Sequence, residues 1–94
     1  MEYRSAGETS AQGAPYNVKL FARARELAGS SEVQVALSEP ATVGALRTAL
    51  SQQHPALAAL APVLLVAVGN DYARDADPLP RDRPIACFPP VSGG

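Results

Sequence analysis

The chain has 94 residues, of which 47% are hydrophobic, and a formal net charge of −1. This length allows one small domain, and the interspersed basic and acidic residues argue against nucleic-acid binding. One cysteine and one histidine exclude an internal disulfide and a structural zinc site. No apolar run approaches the ~20 residues of a membrane span, and the N-terminus lacks a signal-peptide core. We therefore expect a cytoplasmic protein with no nucleic-acid or membrane partner and no bound metal or cofactor.

The predicted elements begin after a leader. Residues 1–15 are rich in Ser, Gly, Ala and Glu without periodicity, which predicts disorder. Alternation of apolar and polar residues, or a short apolar run, then marks each strand. The predicted strands cover residues 17–23, 32–37, 64–68, 72–74 and 85–88. A single helical turn, ended by a glycine, is predicted over residues 24–28, between the first two strands.

One main helix is predicted in the middle of the chain. Apolar residues recur at helical spacing from Val43 onward, and Thr42 is placed to cap the helix N-terminus. We expect the helix to end near Gln53, because the proline that follows His54 moves this histidine out of helical geometry; His54 is interpreted as a capping or surface residue. Gly44 is expected to allow close packing against the sheet. The element order predicts a two-layer α+β domain over residues 16–88.

Two phenylalanines are predicted to lie on the face of the sheet opposite the core. Alternation that buries Leu20 turns Phe21 to the opposite face of its strand. In the last strand, alternation that buries Cys87 as a small core residue turns Phe88 outward as well. If the two strands are neighbours, these rings form an exposed apolar patch together with Tyr72. Exposed aromatic residues are typical anchors of a protein interface.

The C-terminal tail is the predicted site of chemistry. Its residues are Pro89, Pro90, Val91, Ser92, Gly93 and Gly94. The prolines cannot donate to a sheet, so the chain should leave the domain here and project by up to about 20 Å. The terminal glycines carry no Cβ and fit a narrow channel. Since the sequence contains no recognisable catalytic motif, we expect the Gly94 carboxylate to react in a partner's active site.

The residues resemble a known family, the small subunit of molybdopterin synthase, a ubiquitin-like β-grasp sulfur carrier (MoaD-like). The resemblance covers about residues 17–94. Its marks are the opening strand and turn, residues 18–29, the helix start, residues 42–47, and above all the ending Phe-Pro-Pro-Val-Ser-Gly-Gly over residues 88–94. The resemblance implies a β-grasp fold, with a mixed sheet of four to five strands covered on one face by one main helix.

The resemblance also implies a function. An E1-like enzyme would use ATP to adenylate Gly94, and a sulfur donor would convert the adenylate to a thiocarboxylate that delivers sulfur to the cyclic pyranopterin precursor of the molybdenum cofactor. The chain would not be catalytic alone, but would act in a heterotetramer of two small and two large subunits. Carried over to this sequence, Gly93 and Gly94 match the active tail, and the partner-binding positions are Phe21, Tyr72, Phe88, Pro89, Pro90, Val91 and Ser92.

Two alternatives remain open from the sequence. The first is a sulfur carrier for another pathway, namely thiamine synthesis, cysteine synthesis or tRNA thiolation. The second is a ubiquitin-like modifier whose Gly-Gly terminus forms an isopeptide bond to lysine. Both would use the same tail, so the residue types alone do not separate them.

Overall fold

The computed structural model describes residues 14–90, so the predicted leader up to residue 13 and the tail from Val91 to Gly94 lie outside the described residues. Strands, α-helices and two 3-10 turns follow one another along the described chain. In order they are β1 (Ala14–Leu20), α1 (Ala22–Ala28), β2 (Glu32–Leu37), α2 (Val43–Gln53), the turns Pro55–Leu57 and Ala61–Val63, β3 (Leu65–Val68), β4 (Asp71–Ala73) and β5 (Ile85–Phe88).

The strands form one mixed sheet. Its order is β2-β1-β5-β3-β4, so the last strand lies at the centre. β1 and β5 are parallel, whereas the pairs β1–β2, β5–β3 and β3–β4 are antiparallel. The five-stranded sheet and the main helix on one face confirm the predicted two-layer α+β architecture. Because β5 is the central strand and runs parallel to β1, the chain leaves the middle of the sheet next to the C-terminal end of β1.

The core lies between the sheet and α2. Alternating side chains of the strands point toward one side of the helix, and the largest buried ones exclude water from the interface. These fully buried side chains are Leu20, Leu46, Leu50, Leu57, Val18, Val35, Val43 and Cys87. Burying each leucine or valine contributes about 1.5–3 kcal/mol relative to its exposed state. The prediction that Cys87 is a core residue is confirmed.

Helix α2 has the predicted bounds. The Thr42 hydroxyl accepts a hydrogen bond from the Ala45 amide at 3.1 Å, and the helix ends at Gln53. Gly44 was predicted to allow close packing against the sheet, but the residue packed against it is Asp75. A Cβ at position 44 would lie 3.3 Å from both the backbone oxygen and the Cβ of Asp75. The Gly44 amide also donates to that oxygen at 2.9 Å. Gly44 therefore admits the loop after β4, not the sheet.

The first strand and the helix after it differ from their predicted bounds. β1 begins at Ala14 and ends at Leu20, so its first two residues belong to what the sequence assigned to the leader. The first strand was predicted to continue to residue 23, and an alternation that buries Leu20 would also bury Ala22; instead, Ala22 is exposed and has a φ of 54°. This left-handed residue turns the chain directly from β1 into α1, which is longer than the single turn expected over residues 24–28.

The exposed edge of β2 is covered by side chains from the end of α2. The Gln53 amide both accepts from the Ala36 N–H and donates to the Ala36 carbonyl, each at 2.9 Å. One ring nitrogen of His54 lies 2.9 Å from the Gln34 carbonyl oxygen. These contacts occupy backbone groups that would otherwise pair with another chain. His54 is also the C-cap residue of α2, where its N–H donates to the Leu50 carbonyl at 2.9 Å, which confirms its predicted capping role. Within residues 14–90, no helix has the length and apolar character to cross a membrane.

Arg47 connects α2 to the segment that precedes β3. Its guanidinium donates to the carbonyl oxygens of Ala61 and Leu64, both at 2.7 Å, and to the Asp75 carboxylate at 3.1 Å. The Arg47 side chain is only 19% exposed. Hydrogen bonds from a charged donor contribute about 1.5–3 kcal/mol each, and a buried carbonyl left without a donor is costly. Arg47 is therefore a structural residue that fixes the entry into β3.

We expect Arg47→Met to lower the free energy of unfolding by about 2–4 kcal/mol, because two partly buried carbonyls lose their donor. Urea unfolding followed by circular dichroism measures this difference. The matched control is Arg23→Met, which removes an exposed ion pair to Glu26 at 3.5 Å, and such pairs contribute roughly 0–1 kcal/mol. Equal losses for the two variants would contradict the structural role of Arg47.

Candidate functional site

The predicted aromatic residues meet on the outer face of the sheet, at the root of the tail. The Phe21 amide donates to the Cys87 carbonyl at 3.2 Å, which places Phe21 beside the end of β5. The rings of Phe21 and Phe88 are stacked, with centroids 4.9 Å apart and an interplanar angle of 9°. Tyr72 meets Phe88 edge-on, with centroids 6.4 Å apart. We call Phe21, Tyr72 and Phe88 the aromatic patch.

The aromatic patch is open to solvent. Phe21 is 41% exposed and Tyr72 is 71% exposed, while Phe88 is half-buried between them. Aromatic pairs contribute about 0.5–1.5 kcal/mol beyond the area they bury, so the stacked rings stabilise one another in a fixed orientation. A fixed and exposed apolar surface can be covered by a partner with little loss of side-chain entropy. The patch is thus suited to docking.

The turn after β1 sets the direction of Phe21. Phe21 has extended geometry, with φ −130° and ψ 154°, and Ala22 follows at a φ of 54°. A left-handed residue other than glycine costs roughly 1–2 kcal/mol, so the surrounding contacts must hold it. Ala24 is fully buried two residues later and anchors α1 against the core. The result is a Phe21 ring that points away from the core.

Leu65 extends the patch and was not predicted. It is 38% exposed and lies directly opposite Phe88 in the β3–β5 register. The sequence run over residues 64–68 is continuously apolar, which concealed its alternation. Since Leu64 and Val66 are buried, the period of two alone would have turned Leu65 to the outer face.

The tail starts at this patch. Phe88 ends β5, Pro89 is half-buried, and Pro90 is exposed. Val91, Ser92, Gly93 and Gly94 lie outside the described residues, so their predicted roles stay predictions. What the structure establishes is the position of the tail's origin, in the middle of the sheet and beside the aromatic patch.

Comparison with known proteins identifies the family. The sequence pattern of the ThiS family matches residues 18–94, which include the patch and the entire tail. The chain belongs to the ThiS family. The resemblance proposed from the sequence is therefore confirmed at the level of the family.

Proteins similar in sequence and in structure support the fold assigned to this ThiS-family chain. It is 40% identical over 79 residues to the molybdopterin synthase sulfur carrier subunit of Escherichia coli K12, covering 82% of this chain and 96% of that protein. The protein of the same name from Caenorhabditis briggsae is 34% identical over 82% of this chain and 94% of its own length. The crystal structure of small archaeal modifier protein 1 from Haloferax volcanii matches with a TM-score of 0.71 and 34% identity, over 84% of this chain and 100% of that one. These similarities establish a ubiquitin-like β-grasp fold.

Among the described residues of this ThiS-family chain, the buried Cys87 thiol and a polar cluster around Tyr16 are the groups with chemistry of interest outside the patch. Burial raises the pKa of the Cys87 thiol to about 11, so the thiol is protonated at neutral pH. The Cys87 side chain is also fully buried and therefore inaccessible to a substrate. Tyr16, Glu39 and Arg81 form a cluster in which Tyr16 donates to Glu39 and Arg81 lies over the Tyr16 ring. That cluster lies toward the start of β1, at the opposite end of the strand from the patch. Across residues 14–90, no group of side chains is arranged to bind a metal ion.

Proposed function

We propose that this chain is the sulfur-carrier subunit of a molybdopterin synthase. The observation that carries the proposal is the aromatic patch at the root of a Gly-Gly tail, in a chain 40% identical to a protein named for that role. The patch supplies a docking surface and the tail supplies a reactive end. The described domain then acts to place Gly94 in the active site of a larger partner.

The chemistry would take place on the Gly94 carboxylate. A carboxylate is a poor electrophile, so an E1-like enzyme first joins it to AMP, using ATP and releasing pyrophosphate. Sulfide supplied by a donor attacks the Gly94 carbonyl carbon, a C–S bond forms, and the bond to AMP breaks with release of AMP. The product is a thiocarboxylate, whose ionised sulfur is a strong nucleophile. The domain binds no cofactor in this scheme, and ATP is bound by the activating enzyme.

The large subunit would supply the catalytic side chains. Cys87 is too deeply buried to relay sulfur. The thiocarboxylate sulfur forms a bond to a carbon of the cyclic pyranopterin precursor and displaces an oxygen substituent of that carbon. Water then cleaves the acyl–sulfur bond of the resulting thioester, which leaves sulfur on the pterin and returns the Gly94 carboxylate. We propose an assembly of two small and two large subunits, in which each tail reaches one active site.

A second candidate function is protein modification. The similarity to an archaeal modifier protein, at 34% identity, favours it. In that case an activated Gly94 would acylate a lysine of a target protein and form an isopeptide bond. Both functions begin with the same acyl-adenylate, and they differ in the nucleophile that accepts the acyl group.

Intact-mass analysis tests the sulfur-carrier proposal. The full chain is incubated with the activating enzyme, ATP and a sulfur donor, and conversion of the terminal carboxylate to a thiocarboxylate adds about 16 Da. Omission of ATP is the control, and it should leave the mass unchanged. Addition of the large subunit and the pterin precursor should then return the original mass. Conjugation to lysines of other proteins, without the gain of about 16 Da, would favour modification instead.

A further inference from the structure

Strand β2 forms one edge of the sheet, and its sequence lacks the features that usually prevent an edge from pairing with another chain. Glu32–Leu37 contains no proline, lysine or arginine, and its register with β1 is regular from residue 32 to residue 37, without a bulge. Val33 and Val35 add β-branched side chains, and Glu32 is the one charged residue of the strand. Prolines, lysines and bulges are the common means of protecting a sheet edge. This edge therefore needs another form of protection.

The side chain of Gln53 takes the place of a neighbouring strand. Hydrogen-bonding direction alternates along a strand, so residues 32, 34 and 36 direct their N–H and C=O groups away from β1. We call these outward backbone groups the β2 edge. Two paired residues of an antiparallel sheet exchange both of their backbone hydrogen bonds. The Gln53 amide reproduces this exchange with Ala36, because it accepts from the N–H and donates to the C=O, each at 2.9 Å.

Two more side chains engage the rest of the β2 edge. The Ser30 hydroxyl donates to the Glu32 carbonyl at 2.7 Å and accepts from the Glu32 N–H at 3.3 Å. One ring nitrogen of His54 lies 2.9 Å from the Gln34 carbonyl oxygen. Of the six groups of the β2 edge, five are thus engaged, and within residues 14–90 the Gln34 N–H is the one without a partner. The contacts follow the edge over its whole length.

The position of Gln53 depends on the bounds of α2. Gln53 is the last residue of this helix, whose final turn is anchored by the buried Leu50. Gln52, directly before it, carries the same side chain and is also exposed, but its amide forms no hydrogen bond with the described part of the chain. The two glutamines differ in position and not in chemistry. Comparing them therefore isolates the contact with Ala36.

We propose that the β2 edge is a pairing surface for a second copy of this chain, and that Gln53 keeps it closed. The edge is complementary to itself. In an antiparallel pair of two β2 strands centred on Gln34, the two Gln34 residues bond to each other, and Glu32 of each copy lies opposite Ala36 of the other. No like charges face each other in this register. The unpartnered Gln34 N–H gains a carbonyl, and the two copies share one continuous sheet.

Gln53 prevents this pairing because it is tethered beside the edge. A tethered group competes at an effective concentration in the millimolar range, so a second copy at micromolar concentration is excluded. The aromatic patch lies on the outer face of the sheet, whereas the β2 edge consists of backbone groups at its side. The inference therefore does not rest on the proposed function. It explains how a chain with an unprotected edge sequence remains a single copy.

Sedimentation velocity of the full chain tests the role of Gln53. We expect the parent chain and the matched control Gln52→Ala to remain monomeric up to about 100 µM, well below the effective concentration of the tethered amide. Gln53→Ala should dimerise, with a dissociation constant lower by at least about tenfold, because each dimer no longer has to displace two side chains. Adding Ala36→Pro should restore the monomer, since proline removes an outward N–H and leaves the bonds to β1 intact. Circular dichroism verifies that each variant is folded.

Disulfide cross-linking tests the register. Paired residues that exchange hydrogen bonds have Cα atoms about 5.5 Å apart, which is within the range of a disulfide. Gln34→Cys combined with Gln53→Ala should therefore give a cross-linked dimer on mild oxidation, and on the order of tenfold less without Gln53→Ala. Glu32→Cys with Gln53→Ala should not cross-link, because the two positions lie about 13 Å apart along the strands. The native Cys87 is buried and does not compete.

Three results would overturn the proposal. The first is a Gln53→Ala chain that stays as monomeric as the parent. The second is a dimer that persists after Ala36→Pro is added, since it would not use the β2 edge. The third is cross-linking at position 34 that is no stronger than at position 32, or that is equally strong when Gln53 is present.

Discussion

Deleting Gly94 is expected to abolish activation of the chain and to leave its docking to the large subunit nearly unchanged. The deletion still leaves a terminal carboxylate on Gly93, but the carboxylate is withdrawn by about 3.5 Å, the length of one extended residue. Misplacement of a reacting group by about 1 Å can already cost on the order of 100-fold in rate. We therefore expect at least that loss in adenylation, which ATP–pyrophosphate exchange measures, and no thiocarboxylate by intact mass.

Binding to the large subunit should survive this deletion because the docking surface lies on the folded domain and not on the tail. The aromatic patch and Leu65 belong to the folded sheet, and the tail begins only after Phe88. Calorimetric titration of the large subunit with the shortened chain is the control, and it should give an affinity close to that of the full chain. Retention of more than about a tenth of the exchange rate would mean that the reactive group tolerates the shift, contrary to the geometric argument.

The elements that the sequence predicted well are those with a clear period. Helical spacing and the Thr42 cap gave α2 its observed bounds, and alternation placed Phe21 and Phe88 on the outer face. Their contact also required β1 and β5 to be adjacent. The sequence analysis left that adjacency conditional, because a period of two determines which face a side chain occupies but not which strand lies beside it.

The features that were missed depend on tertiary contacts. Ala22 adopts a left-handed conformation that no glycine signalled, since the anchoring of α1 through Ala24 compensates for its cost. Gly44 faces Asp75, which is 31 residues away in sequence and reaches it only through the loop after β4. Leu65 was hidden because the residues before and after it are also apolar. In each case the local pattern allowed the observed structure without requiring it.

Phe88→Ala is expected to weaken binding of the large subunit by about 2 kcal/mol or more, roughly 30-fold in dissociation constant. Phe88 is the centre of the patch, since it stacks on Phe21 and meets Tyr72 edge-on. Its truncation removes a ring that a partner would cover and also leaves Phe21 without support. Calorimetric titration with the purified large subunit measures the loss. Val63→Ala is the matched control, because Val63 is an exposed apolar residue, 52% accessible, outside the patch.

A double-mutant cycle with Phe21→Ala sharpens this test. The two rings are in contact at 4.9 Å, so their effects should not add: the double variant should lose less affinity than the sum of the single losses. Thermal unfolding of each variant separates lost docking from lost folding, because Phe88 is half-buried in the central strand. Unlike deletion of Gly94, Phe88→Ala should leave the tail chemically competent, so sulfur transfer should recover at saturating large subunit. A folded Phe88→Ala chain that binds as tightly as the parent would remove the patch from the docking surface and leave recognition to the tail alone.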